Sequence, residues 1–193
     1  MRAIPITSLG ALLLTGISLS APAHAQAQTS APPALAPSVL DSIARRIVTA
    51  ARYATLATVD GAGRPQVRTI QPRHPDATWS VWFATNPRTR KVKEVERRGA
   101  VALHYFDPAT QSYVAVTGTA RVVRDRATQD AHWDDAWTAF YPDRTHGVVL
   151  IVVDAARVEV VSPKLGVESD ALTWRPQSFT VRPAGVGPAR RRP

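Results

Sequence analysis

From Ala54 to Ser162 the apolar residues of this chain recur mostly in twos rather than in threes and fours, and that period constrains the fold more than any other feature of the sequence. Before it, Val39, Leu40, Ile43, Ile47 and Val48 mark one helical face. Pro37 suits a first helical turn and Ser38 with Asp41 resembles a capping pair, so a helix is expected to run to about Ala51. After it come strand-like segments at 54–59, 65–71, 79–85, 100–106 and 112–123, the last with Gly118 as a bend or bulge in its middle. Two final strands, 147–154 and 157–162, are expected to be joined by a short turn. Asp60-Gly61-Ala62-Gly63 and Asp107-Pro108 supply turn signals between segments. Two helical stretches interrupt the series, one from about Arg88 to Arg97 ended by Gly99, the other from Arg126 to Phe140. Helices do not alternate regularly with strands, which argues against a doubly wound parallel sheet. The expected architecture is mainly β, an antiparallel barrel of about six or seven strands with a few short helices.

The 193 residues accommodate one such body with appended ends. Met1-Arg2, the uncharged apolar run from Leu9 to Leu19 and Ala23-His24-Ala25 together form the pattern of a secretory leader, and the run is too short to span a membrane. Residues 1–25 are therefore expected to be a signal peptide, leaving a periplasmic or secreted chain with no membrane span. Residues 26–36 read as a flexible lead, 37–175 as the folded domain and 176–193 as a basic, Pro- and Arg-rich disordered tail. The absence of cysteine excludes disulfides, thiolate nucleophiles and cysteine-ligated metal centres, so redox chemistry would need a bound cofactor. The formal charge is +9, concentrated between Arg88 and Arg98 and at Arg190-Arg191-Arg192. Neither cluster is interleaved with aromatics or set on a reading helix, so no nucleic-acid partner is expected.

The common catalytic signatures are missing: no G-x-S-x-G elbow, phosphate-binding Walker loop, Rossmann fingerprint or H-E-x-x-H. His74, His104, His132 and His146 are not at metal-ligand spacing, and no metal site is expected. Asp134 and Asp135 face different directions on a helix and read as a polar face. The segment from Phe83 to Lys91 is more informative. A strand ends, Asn86-Pro87 turns, and a helix begins among Thr85, Thr89, Arg90 and Lys91. A phosphate dianion suits such a junction, because uncapped backbone N–H groups, hydroxyls and cations converge on it; Arg68 on a preceding strand could close the cradle. Equally, these residues describe an ordinary basic helix.

Five stretches carry a resemblance that decides between those readings: Ala54–Asp60, Gly63–Arg68, Trp82–Asn86, Thr89–Val92 and Tyr113–Ala120. Their order and spacing over residues 40 to 162 resemble the pyridoxamine 5′-phosphate oxidase-like, FMN-binding split-barrel superfamily. Trp133, Trp137 and Tyr141-Pro142 after the long strand resemble its general stress protein 26-like branch. The resemblance implies a Greek-key split barrel and a homodimer with the cofactor site between subunits. It also implies that Arg68, Thr69 and Ile70 line the flavin, that Thr85 lies at the next strand end, and that Arg90 and Lys91, with Thr89 beside them, bind the FMN phosphate. Tyr113 stands where the oxidase proper carries a flavin-contacting glutamine. The C-terminal segment lacks the arginine- and histidine-bearing pattern that holds pyridoxal phosphate, so vitamin B6 oxidation is not expected. The resemblance thus implies a flavin-dependent oxidoreductase acting on a small molecule, with catalytic residues unassigned, and the leader implies that it is exported. The alternatives on the same barrel are a non-catalytic binder of heme, with His74 and His104 as candidate ligands, of flavin, deazaflavin or another anion, or a domain with an empty site.

Overall fold

The computed structural model describes residues 33–181; the expected leader, the start of the lead and the tail beyond Val181 lie outside the described residues. Helix α1 (Pro37–Ala51) begins with Pro37 in its first turn. Ser38 and Asp41 do not cap it: the N-cap position is Ala36 and no side chain caps the helix. Asp41 accepts instead from Arg45 Nε at 3.1 Å and from Trp79 Nε1 at 2.6 Å, and these side-chain donors fix it away from the helix start. Leu40, Ala44, Ile47 and Val48 bury the other face against the sheet.

Seven strands form one antiparallel sheet: β1 (Ala54–Val59), β2 (Pro65–Ile70), β3 (Ser80–Thr85), β4 (Ala100–Asp107), β5 (Ser112–Val123), β6 (Val149–Val161) and β7 (Gln177–Thr180). Their order is β2-β1-β4-β5-β6-β3, with β7 also on β6. The crossing of β3 to the far edge, away from the β1–β2 hairpin, gives the split barrel its Greek-key character. Alternate residues of β4 and β5, among them Leu103, Tyr105, Val114 and Val116, fill the interior with Leu56 of β1. The β1–β2 turn is held by Asp60, whose carboxylate accepts from the backbone N–H of Ala62 and Arg64, while Gly63 takes a φ of 84°.

The structure redraws three boundaries. The two expected final strands are one strand, β6, carrying an irregularity where Thr117 pairs with Arg157 but Gly118 with Ala155. That bulge interrupts the alternation at Ala155-Ala156, which is why the sequence reads as a turn there. A side chain on Gly118 would run into the backbone of Asp154 and Ala155, so glycine is what allows β5 and β6 to approach. The expected long helix at 126–140 stops early: α3 (Arg126–Ala131) is followed by a single 3₁₀ turn at Asp135–Trp137, because Asp134 accepts from the Ala136 N–H and opens a new start. Finally, Gln177–Thr180 lies within the expected tail yet pairs with β6 as β7, and Gln177 Oε1 accepts from the Leu35 N–H at 2.8 Å.

Candidate anion site at the start of the second helix

Helix α2 (Arg90–Arg98) starts two residues later than the sequence pattern suggested, because Asn86 folds the preceding residues into a turn: its side chain accepts from Arg88 N–H and its carbonyl from Thr89 N–H. Gly99 closes the helix in the left-handed conformation, as expected. Thr89 occupies the N-cap position, but its hydroxyl donates to the Asn86 carbonyl at 2.9 Å and caps nothing. The first-turn N–H groups therefore receive no side-chain acceptor.

Five of the eight expected site residues meet here. Thr85, at the end of β3, is buried and its hydroxyl accepts from Lys91 Nζ at 2.9 Å, with Thr89 Oγ1 3.3 Å away. Lys91 forms no salt bridge among the described residues. Burial, and secondarily the nearby Arg68 guanidinium, holds its ammonium below the ordinary lysine pKa. Arg90 is mostly exposed. Arg68 reaches the site from β2 but is already engaged: Nη1 donates to Thr58 Oγ1 at 2.5 Å and to the Gln66 carbonyl at 3.0 Å, and Nη2 lies 2.8 Å from Glu94 Oε2.

Glu94 is the residue that sequence reading missed. It is 5% exposed, accepts from the Thr58 hydroxyl at 2.5 Å through Oε2, and has Arg90 Nε 3.1 Å from Oε1. Its (i, i+4) spacing from Arg90 was legible in the sequence, but the spacing alone describes a solvated surface pair. Its burial follows from α2 packing on β1, which is tertiary information.

The other three expected residues lie apart. Ile70 is buried in the core beyond Arg68. Thr69 points to the opposite face of β2 from Arg68, in a row that runs Thr69, Thr55, His104, Ala115 across β2, β1, β4 and β5. Tyr113 shares that outer face, pairs with Phe106, and packs 5.3 Å from the His104 ring. Tyr113 also borders a cavity of about 630 Å³ with Glu168, Asp170 and Trp174. His74 lies exposed in the β2–β3 loop. Among the described residues no group of three or more His, Asp or Glu is placed to hold a metal ion, and no helix is long and apolar enough to cross a membrane.

The family described as pyridoxamine 5′-phosphate oxidase like matches residues 42–166. Pyridoxine/pyridoxamine 5′-phosphate oxidase of Aliivibrio fischeri is 36% identical over 66 residues, 34% of this chain and 31% of the oxidase. The corresponding oxidase of Anaeromyxobacter dehalogenans is 32% identical over 109 residues, 53% of this chain and 54% of the oxidase. The chain thus spans between about a third and about half of the length of these curated relatives. Among solved structures, a Clostridium acetobutylicum protein related to general stress protein 26 superposes with a TM-score of 0.61 at 18% identity, covering 76% of this chain and 97% of that one. An FMN-binding, pyridoxamine 5′-phosphate oxidase-related protein of Nostoc punctiforme gives 0.53 at 21% identity, over 77% and 98%. A heme-binding protein of Mycobacterium smegmatis gives 0.56 at 18% identity, over 76% and 59%. These superpositions establish a shared fold.

Proposed function

This chain belongs to the pyridoxamine 5′-phosphate oxidase-like family, and from that premise we propose that it is an exported FMN-binding protein, a flavin-dependent oxidoreductase for a small molecule other than a vitamin B6 phosphate. The observation that carries the reading is the cradle at the start of α2. A half-buried Lys91, with no salt bridge among the described residues, sits against the Thr85 and Thr89 hydroxyls at the uncapped start of α2, whose first residue is Arg90. That donor set suits a phosphate monoester: lysine supplies a point charge, arginine a planar fork and the helix start its N–H groups. FMN, when bound, supplies the electron transfer; the chain's own residues hold the phosphate and orient the rest of the molecule.

A homodimer is part of the proposal. Val67 and Phe106 share the outer sheet face with Thr69, His104 and Tyr113, and they are 66% and 50% exposed. The residues between them are small, Thr55, Ala57, Ala102 and Ala115, so a second copy could lie flat on this face. Such docking would cover the apolar patch and add Thr69 and Tyr113 of one copy to the surroundings of its partner's cradle.

Titration of the mature chain with FMN, followed by quenching of flavin fluorescence, tests the reading. Saturable binding is expected, and Arg90→Ala with Lys91→Ala should raise Kd at least about tenfold. Riboflavin, which lacks the phosphate, should bind both forms alike. No saturable FMN binding, or equal binding by both forms, refutes the cradle. A second reading, heme binding on the same face, is favoured by His104 standing exposed beside Tyr113. Heme titration would then yield a Soret band that His104→Ala removes.

A further inference from the structure

Arg68, Arg90, Lys91 and Glu94 form one electrostatic cluster of three cations and one carboxylate. The carboxylate is the unusual member. Glu94 is almost wholly buried, and no hydrogen bond reaches its Oε1, although Arg90 Nε stands 3.1 Å away as a charge. A buried carboxylate is costly unless it is compensated, and an anion-binding cradle gains nothing from a negative charge at its floor. Its partners account for its presence. Arg68 spends its two terminal nitrogens on Glu94, Thr58 and the Gln66 carbonyl, so its charge is cancelled at the base of the site, while the mostly exposed Arg90 meets Glu94 through Nε alone and Lys91 forms no salt bridge among the described residues.

Building on the phosphate-cradle reading above, we infer that Glu94 is a specificity-determining residue: it sets the cradle at two net positive charges and so selects a single phosphate monoester dianion over a diphosphate. A terminal phosphate brings two negative charges and is matched. A pyrophosphate group brings more charge and meets the carboxylate beneath the cations, which lowers what the added charge gains.

The test uses inorganic phosphate and inorganic pyrophosphate as competitors of FMN on the mature chain. Three forms are compared: wild type, Glu94→Gln, and the double variant Arg68→Gln with Glu94→Gln, in which two net positive charges are restored. Glu94→Gln is expected to tighten phosphate roughly fivefold and pyrophosphate by more, with a steeper dependence on salt. The double variant should return both affinities, their ratio and the salt dependence to near wild type. A merely structural Glu94 predicts the opposite order, with weaker binding in Glu94→Gln and no recovery in the double variant, and that result overturns the inference while leaving the cradle intact. Should Glu94→Gln fail to fold by circular dichroism, the double variant decides alone: a wild-type pyrophosphate-to-phosphate ratio supports charge setting, and any other ratio overturns it. If wild type binds neither FMN nor phosphate, both this inference and the reading it rests on fall.

Discussion

Arg68 and Lys91 look alike in the sequence, two cations bound for one anion, but their surroundings give them different tasks. Arg68 is locked to Glu94 and Thr58, so Arg68→Ala leaves a buried carboxylate with only the mostly exposed Arg90 beside it and should cost about 3 kcal/mol of stability in urea unfolding. Lys91→Ala removes a cation of the proposed cradle and should cost far less stability while weakening FMN binding. Lys91 also predicts a pH dependence. Its pKa is lowered by burial and by Arg68, opposed by Glu94, with the Thr85 hydroxyl from β3 as its hydrogen-bond partner. An anion favours the charged form, so affinity is full while Lys91 is protonated. It declines as pH rises through the lowered pKa, below the 10.5 of an ordinary lysine. Lys91→Arg should flatten this alkaline decline, measured as FMN Kd against pH. The cationic half of the site was legible because a basic run after a strand-ending Asn-Pro is a local pattern. Glu94 and Thr58 were not, because their partners lie 26 and 10 residues from them in sequence, across a hairpin and a helix.

Strands and helices were legible wherever period decides, as in β1 and β5, or where aromatic and β-branched residues cluster, as in β3, and were misread wherever one polar side chain or one glycine overrides the pattern. Asp134 ends what would otherwise be a continuous Trp-bearing helix, and Gly118 admits a bulge that resembles a turn. The bulge yields a sharp expectation. Gly118→Ala places a methyl group against the Asp154 carbonyl and the Ala155 backbone, neither of which can step aside in a paired strand, so about 2 kcal/mol of stability should be lost. The urea midpoint should fall with little change in slope. At the β1–β2 turn, backbone N–H donation from Arg64 draws the Asp60 carboxyl down to about 2. Its contribution is thus present above the ordinary aspartate range and lost as pH falls through about 2.

At the level of the whole molecule, the pattern of period-two segments with few helices already specified an antiparallel barrel, whereas the outer face exposes what a single copy leaves open. Phe106→Asp should convert the proposed dimer to a monomer in light scattering and weaken FMN binding, although Phe106 is not a residue of the cradle. A monomeric wild type would instead confine the site to one chain. The placement of β6 has a kinetic consequence. Among the described residues strand β3 pairs in the sheet with β6 alone, and that pairing joins residues 80–85 to 149–154. Closing so long a loop is among the slowest steps available to a chain of this topology. Thr85 sits on β3, and Lys91 is anchored to it. The competence to capture an anion should therefore appear during refolding only when the barrel seam shuts, so that FMN added to a stopped-flow experiment acts as a clock for the final step of folding.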